Sequence, residues 1–350
     1  MNFGISVLFR AIPLLMGAVC LSFGLYVLAD GASSAHFVAG HVLIALTAIC
    51  IALFTTAAMI IRQLTHTFGR VWKFLLPILG YGVSVATAAW GLATIAQGEI
   101  DSFVAGHIMF GIGLVAACVS TVGAASSAFT LIPQNAARRH EDGPPAEAYG
   151  RPVAVALAAV PVVATLVSAT WAIVLLAGAS QQDHFVAGHV LLGLSAICAS
   201  LIALVATVVR QVRNSFDDPE RWYWSIWVLV MGSAAVLLGL FVLVRPDGPA
   251  RIAPGCVLIG LGLICFSIFS KVWLLASVWR RDFPLANRVP IIPVMTCLAC
   301  LFFSAFLAEA ATTDPAFFVP ARVLTGLGAV CFTLFSIVSI LEAGTSKKAS

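Results

Sequence analysis

Apolar residues run along this chain in long unbroken blocks separated by short polar clusters, without the two-residue alternation of a half-buried strand. Ten blocks, roughly 4–29, 37–61, 71–97, 103–131, 153–178, 185–209, 222–244, 252–275, 289–310 and 318–341, each reach the ~20 residues that a helix needs to cross hydrocarbon. Continuous runs rich in Ala, Leu and Gly exclude transmembrane strands, whose side chains alternate between lipid and lumen. The expected fold is all-α, a polytopic membrane protein of about ten transmembrane helices. Arg10 ahead of an apolar run gives the first block the outline of a secretion signal, but it is too long for one. Its Ile12-Pro13-Leu14 also recurs as Leu76-Pro77-Ile78, Val160-Pro161-Val162 and Ile292-Pro293-Val294, which ties it to the later blocks.

The string Phe-Val-Ala-Gly-His ends at His41, His107 and His189, and degenerate copies place Cys256 and Arg322 at the same position. Spacings between these five residues are 66, 82, 67 and 66. Each interval holds two apolar blocks, so the sequence predicts five tandem helix hairpins entering the membrane from the same side, at about 1–66, 67–132, 151–214, 217–281 and 284–344. The long interval contains a Pro-, Gly- and charge-rich loop insertion at 133–150. Parallel copies are related by an axis along the membrane normal, unlike inverted repeats. Five of them suit a pseudo-fivefold ring with one helix of each hairpin at its centre.

Composition and charge sharpen this picture. Of 350 residues 61% are hydrophobic and 10% charged, and mean hydropathy is +1.04, far from the roughly one-quarter charged residues of a soluble domain. Sixteen of the 19 Lys and Arg fall on the side that holds both termini and every second loop, leaving Arg245, Arg251 and Arg322 on the other. The positive-inside rule then places both termini in the cytoplasm of a bacterium, with the chain in its inner membrane. These cations read as topological anchors and form no nucleic-acid groove. The expected partner is the lipid bilayer, and no protein partner can be read from the chain. All nine cysteines lie within apolar blocks, where Cys acts as a small hydrophobe.

On the even-numbered helices, positions 4, 11 and 14 after the motif residue carry only small or weakly polar side chains, the polar ones being Thr55, Thr121, Ser200, Ser267, Ser270, Thr333 and Ser336. One reading is close helix packing; the other is the lining of a central path. His41, His107 and His189 are candidates for sensing acid, because an imidazole has an ordinary pKa of about 6.5 and the topology puts them near the periplasm. The competing reading makes each a hydrogen-bonding cap. Two histidines on facing helices would suit a haem, and His36 and His184 would add donors for a divalent ion. Cys256 and Arg322 exclude a symmetric five-ligand site, and no cofactor or metal is expected. Glu309 and Arg322, at the two sides of a short loop, are expected to form an ion pair, and Lys271 is expected to snorkel to the cytoplasmic surface.

The segments Phe37-Val-Ala-Gly-His41-Val42, Ala116-Ala-Cys118-Val-Ser120-Thr121-Val122, Cys265-Phe-Ser-Ile-Phe-Ser-Lys271-Val-Trp273 and Val330 to Gly344 resemble the YhiM-type family of bacterial inner-membrane proteins, nearly end to end from Pro13. That resemblance implies a multi-pass inner-membrane protein from a group without a known biochemical function, loosely associated with acid stress. It supplies no site residues. Three functional classes stay open: a pH-responsive channel or transporter that aids acid tolerance, a haem- or metal-binding redox protein, and a structural or signalling protein without a permeation path. An enzyme is not expected, since no nucleophile–base pair, carboxylate pair or phosphate loop is present.

Overall fold

Each apolar block becomes one helix in the computed structural model. The structure describes residues 3–31, 33–64, 67, 69–128, 150–178, 181–213, 215–245, 251–280 and 289–345. The helices are α1 (Phe3–Asp30), α2 (Ser34–Leu64), α3 (Arg70–Ile95), α4 (Ile100–Ala125), α5 (Arg151–Ala177), α6 (Gln182–Val212), α7 (Asp218–Val244), α8 (Ile252–Arg280), α9 (Ile291–Ala310) and α10 (Phe318–Thr345). Ten are long and apolar enough to span a bilayer. Short 3₁₀ turns, Ser126–Ala128 and Pro315–Phe317, follow α4 and precede α10. The expected insertion at 133–150 lies, but for Gly150, outside the described residues.

Consecutive helices pair as hairpins, α1 with α2, α3 with α4, α5 with α6, α7 with α8 and α9 with α10. Among the even-numbered helices α2 packs on α4, α4 on α6, α6 on α8, α8 on α10, and α10 returns to α2. Every odd-numbered helix lies outside this closed circle, against its own partner and the even helix of the neighbouring hairpin. The outer helices turn bare apolar side chains outward, among them Leu8, Ile78, Val155, Leu237 and Phe302. In water that surface would drive aggregation; against hydrocarbon it is the solvated face.

Two kinds of small-residue contact set the spacing. Within hairpins the glycine of the motif lets two backbones touch. A Cβ on Gly106 would sit 2.6 Å from the Gly91 carbonyl oxygen, and one on Gly255 would sit 3.1 Å from that of Gly239. Between hairpins, Gly111 accommodates Leu191 and Leu194, Gly193 accommodates Leu258 and Leu261, Gly260 accommodates Leu324 and Leu327, and Gly326 accommodates Leu43 and Leu46. The same knob thus fills the same gap from one inner helix to the next, including across the closure. Helices in lipid gain no hydrophobic drive from associating, so such close approach and its van der Waals contact hold them together.

One end of the bundle carries the motif residues, and the other carries a belt of cations and aromatics. At this far end the Arg62 guanidinium lies 3.8 Å from the Trp72 ring centre, and Arg221 lies 5.0 Å from that of Trp273. Arg210 Nε donates to Glu220, which also closes a capping box with Asp217 at the start of α7. Such pairs suit an interface where a ring faces lipid and a charge faces water.

Candidate functional site: the axis of the inner helices

The circle of inner helices encloses a narrow void lined by Ile49, Leu53 and Thr56 of α2, Val115, Val119 and Val122 of α4, Ile197, Leu201 and Leu204 of α6, Ile264, Ile268 and Lys271 of α8, and Val330 and Leu334 of α10. These residues stand 8, 12 and 15 positions after the motif residue of their helix, one face at 100° per residue. Side chains of equal register thus form three sets, or rings, that line the void, one for each of these positions. The first two are wholly aliphatic. The third combines Thr56, Val122, Leu204 and Lys271, and the corresponding residue of α10, Ile337, is buried.

About 30 Å³ is open there to the centres of water-sized bodies, room for about two molecules by that measure. A short, dry, aliphatic constriction stops ions by denying them hydration. Nearer the motif end the same inner helices border a second, wider cavity, a vestibule of about 720 Å³ floored by Val38, Val104, Val186, Ala253 and Val319 and rimmed by Ser34, Gln181, Gln182 and Asp183. The floor residues precede the motif residue by three positions, so they continue the same helix face.

Lys271 corrects an expectation. It is 4% exposed and lines the void, so it does not snorkel to a membrane surface. Its position is in phase with the ring-forming leucines and valines, which aims its stem at the axis. Among the described residues it forms no hydrogen bond or ion pair. Thr56, its polar neighbour, directs its hydroxyl to the Ala52 carbonyl at 2.9 Å, with the Val119 carbonyl at 3.3 Å.

The small polar stripe lies about 80° around each helix from the axial face and is spent on packing. Thr55 donates to the Ala52 carbonyl at 2.8 Å, Thr121 to that of Ala117 at 2.8 Å and Ser200 to that of Ala196 at 2.8 Å. Ser270, Thr333 and Ser336 bond back to their own helices in the same way, while Ser267 meets the Thr296 hydroxyl at 2.6 Å. The stripe also meets thiols of the next inner helix: Thr333 is 4.0 Å from Cys50, Cys118 pairs with Cys198, Ser200 with Cys265 and Ser267 with Cys331. None of the seven predicted polar residues borders the void.

The motif histidines are held apart. Nδ1 of His41, His107 and His189 donates to the carbonyl of Phe37, Phe103 and Phe185 at 2.8, 2.7 and 2.8 Å, leaving each Nε2 as the acceptor nitrogen. His41 lies against Trp90 of α3 and His107 against Trp171 of α5, at seams between neighbouring hairpins. His184 and Asp183 face His107, and Arg251 faces His189. His36 lies tilted against Phe318 at 4.4 Å and His184 stacks on Phe103 at 4.8 Å, again at separate seams. Among the described residues no three His, Cys, Asp or Glu side chains gather as a metal would require. Cys256, at the fourth motif position, is buried.

The expected Glu309–Arg322 ion pair is absent among the described residues. Arg322 spreads over the Phe318 ring at 3.7 Å and interacts with Asp30 and Tyr26 of α1. A motif-position residue faces the next hairpin, which for α10 is the first one, while Glu309 is exposed on the outer helix of its own hairpin. Short sequence separation misled, because the helix face decides the partner.

The family described as "Protein of unknown function (DUF2776)" matches residues 1–346. Inner membrane protein YhiM of Escherichia coli (strain K12) is 58% identical over 350 residues, spanning 99% of this chain and all of that protein. No solved structure matches the chain.

Proposed function

Starting from the fact that the chain belongs to the DUF2776 family and is, like its relative, a multi-pass inner-membrane protein, we propose that it is a gated channel whose path is the axis of the five inner helices. The observation that carries this reading is the stack of aliphatic rings beneath an open vestibule. A bundle built only to be stable has no reason to keep a funnel at one end of its axis. In this reading the five hairpins are parallel copies of one unit, the basic residues hold both termini in the cytoplasm and the vestibule faces the periplasm. The protein carries out no covalent chemistry and needs no cofactor.

Acid enters through the motif histidines. His41 and His107 sit where an inner helix meets the next outer one and His189 faces Arg251 ahead of the next inner helix, so a proton gained on Nε2 would add charge between neighbouring hairpins. Separate seams would loosen together and let the rings part, without the histidines touching. The expected result in proteoliposomes is low ion flux at neutral pH that rises when the vestibule side is acidified. The variant His41→Gln/His107→Gln/His189→Gln, which keeps hydrogen-bonding capacity but cannot gain the charge, stays at the low level. Flux that is absent from the parent at every pH contradicts the channel; flux that rises equally in the variant contradicts only the histidine gate.

A further inference from the structure

The third ring holds an amine where the fold asks for none. Its other members, Thr56, Val122, Leu204 and Ile337, fill equivalent positions with aliphatic surface or with a hydroxyl already directed to a carbonyl. Among the described residues Lys271 adds no hydrogen bond to the packing, and an isolated charge in apolar surroundings is costly unless something pairs with it. Among the described residues it is the one charged side chain bordering the void. No acidic side chain among them borders it, so an ion entering along the axis is the counter-charge open to the protonated amine.

We propose that Lys271 is the selectivity element of the axial path and that the permeant is a small monovalent anion of the chloride class. The inference rests on reading the axis as a path. The 30 Å³ void sets the size, excluding polyatomic organic anions unless the rings part widely. The sign follows from the amine: rings of Lys or Arg favour anions in pores, and a charge acts most strongly where walls are close and dry. Asp183 is the opposing charge on this route. It stands at the rim of a 720 Å³ vestibule beside Gln181 and Gln182, and in helix register Lys271 lies 21 positions deeper, about 32 Å at 1.5 Å per residue. Water and salt screen a charge at such a mouth, and the narrow ring decides which ion passes.

The test uses full-length protein in planar bilayers under a potassium chloride gradient. The variant Val115→Thr/Val119→Thr/Val122→Thr is the background, because it puts a hydroxyl into each ring without changing side-chain shape. Its reversal potential is expected to report chloride over potassium by about tenfold or more, and adding Lys271→Met or Lys271→Gln should bring that ratio close to one at comparable conductance. An unchanged ratio in both Lys271 variants, or a potassium-selective background, overturns the anion assignment while leaving the path intact. No conductance in the parent or in any variant overturns the path, and the assignment falls with it.

Discussion

Replacing Val115, Val119 and Val122 by threonine is expected to convert a tight protein into a leaky one at neutral pH. The three side chains face the axial void from one helix, one in each ring. Threonine reproduces valine's shape but exchanges a methyl for a hydroxyl, so the rings keep their packing and lose their dryness. A gate that works by dewetting is undone by a few polar groups, and passive halide flux should rise about tenfold or more over the parent. Part of each hydroxyl's capacity will go back to the helix carbonyl four residues earlier, as it does for Thr333 and Ala329, which is why one substitution in each ring is needed. Dye-quench assays on vesicles with matched protein content measure the effect. A mock variant on the stripe, Ala45→Ser, should stay tight, since that position serves helix contact.

The second large effect concerns the hairpin formed by α3 and α4. A Cβ at Gly91 would lie 2.5 Å from the amide nitrogen of Phe110 and 2.7 Å from the carbonyl oxygen of Gly106. Both atoms are backbone and cannot swing away, so Gly91→Leu must push two helices apart along a contact that both depend on. A cost of at least about 3 kcal/mol is expected, at the upper end for overpacking, and little folded protein should survive extraction in mild detergent. Gly82, on the same helix, has no atom within 4 Å of its would-be Cβ. Gly82→Ala should shift stability by no more than about 0.5 kcal/mol. Monodispersity and thermal melting in detergent compare the two, and equal stability of both variants would contradict the described crossing.

Much of this architecture was legible in the chain. Ten blocks predicted ten helices, and the motif found in blocks two, four and six marked the helices that occupy the inner circle. What the motif does is visible only in three dimensions. In Phe103-Val104-Ala105-Gly106-His107, Val104 floors the vestibule, Gly106 meets the partner helix, and His107 ties back to Phe103 while facing the next hairpin. The rotation of the inner helices is less legible, because a small polar stripe fits helix packing as well as the lining of a path. Lining a centre with small polar residues borrows from water-soluble pores. In lipid both faces of a helix are apolar, so polarity does not say which one points inward. Small residues such as Gly193 and Ser200 go where helices touch, and the bulkier aliphatics such as Ile197 and Leu201 fill the wider axis. The informative signal is phase: Lys271 stands seven positions after Ile264 and three after Ile268, on the same face, with matching aliphatics on the other inner helices.

The claim that matters most is that ions cross along the axis of the inner helices and nowhere else. It is tested by adding Ile197→Cys to the three-threonine variant and exposing it, while it conducts, to a small water-soluble thiol reagent. Ile197 borders the void, whereas the native cysteines are buried between helices. Conductance is predicted to fall irreversibly in the Ile197→Cys protein and to hold steady in the same background without that cysteine. Steady conductance in both, with the added thiol still unmodified, would show that the ions take another route.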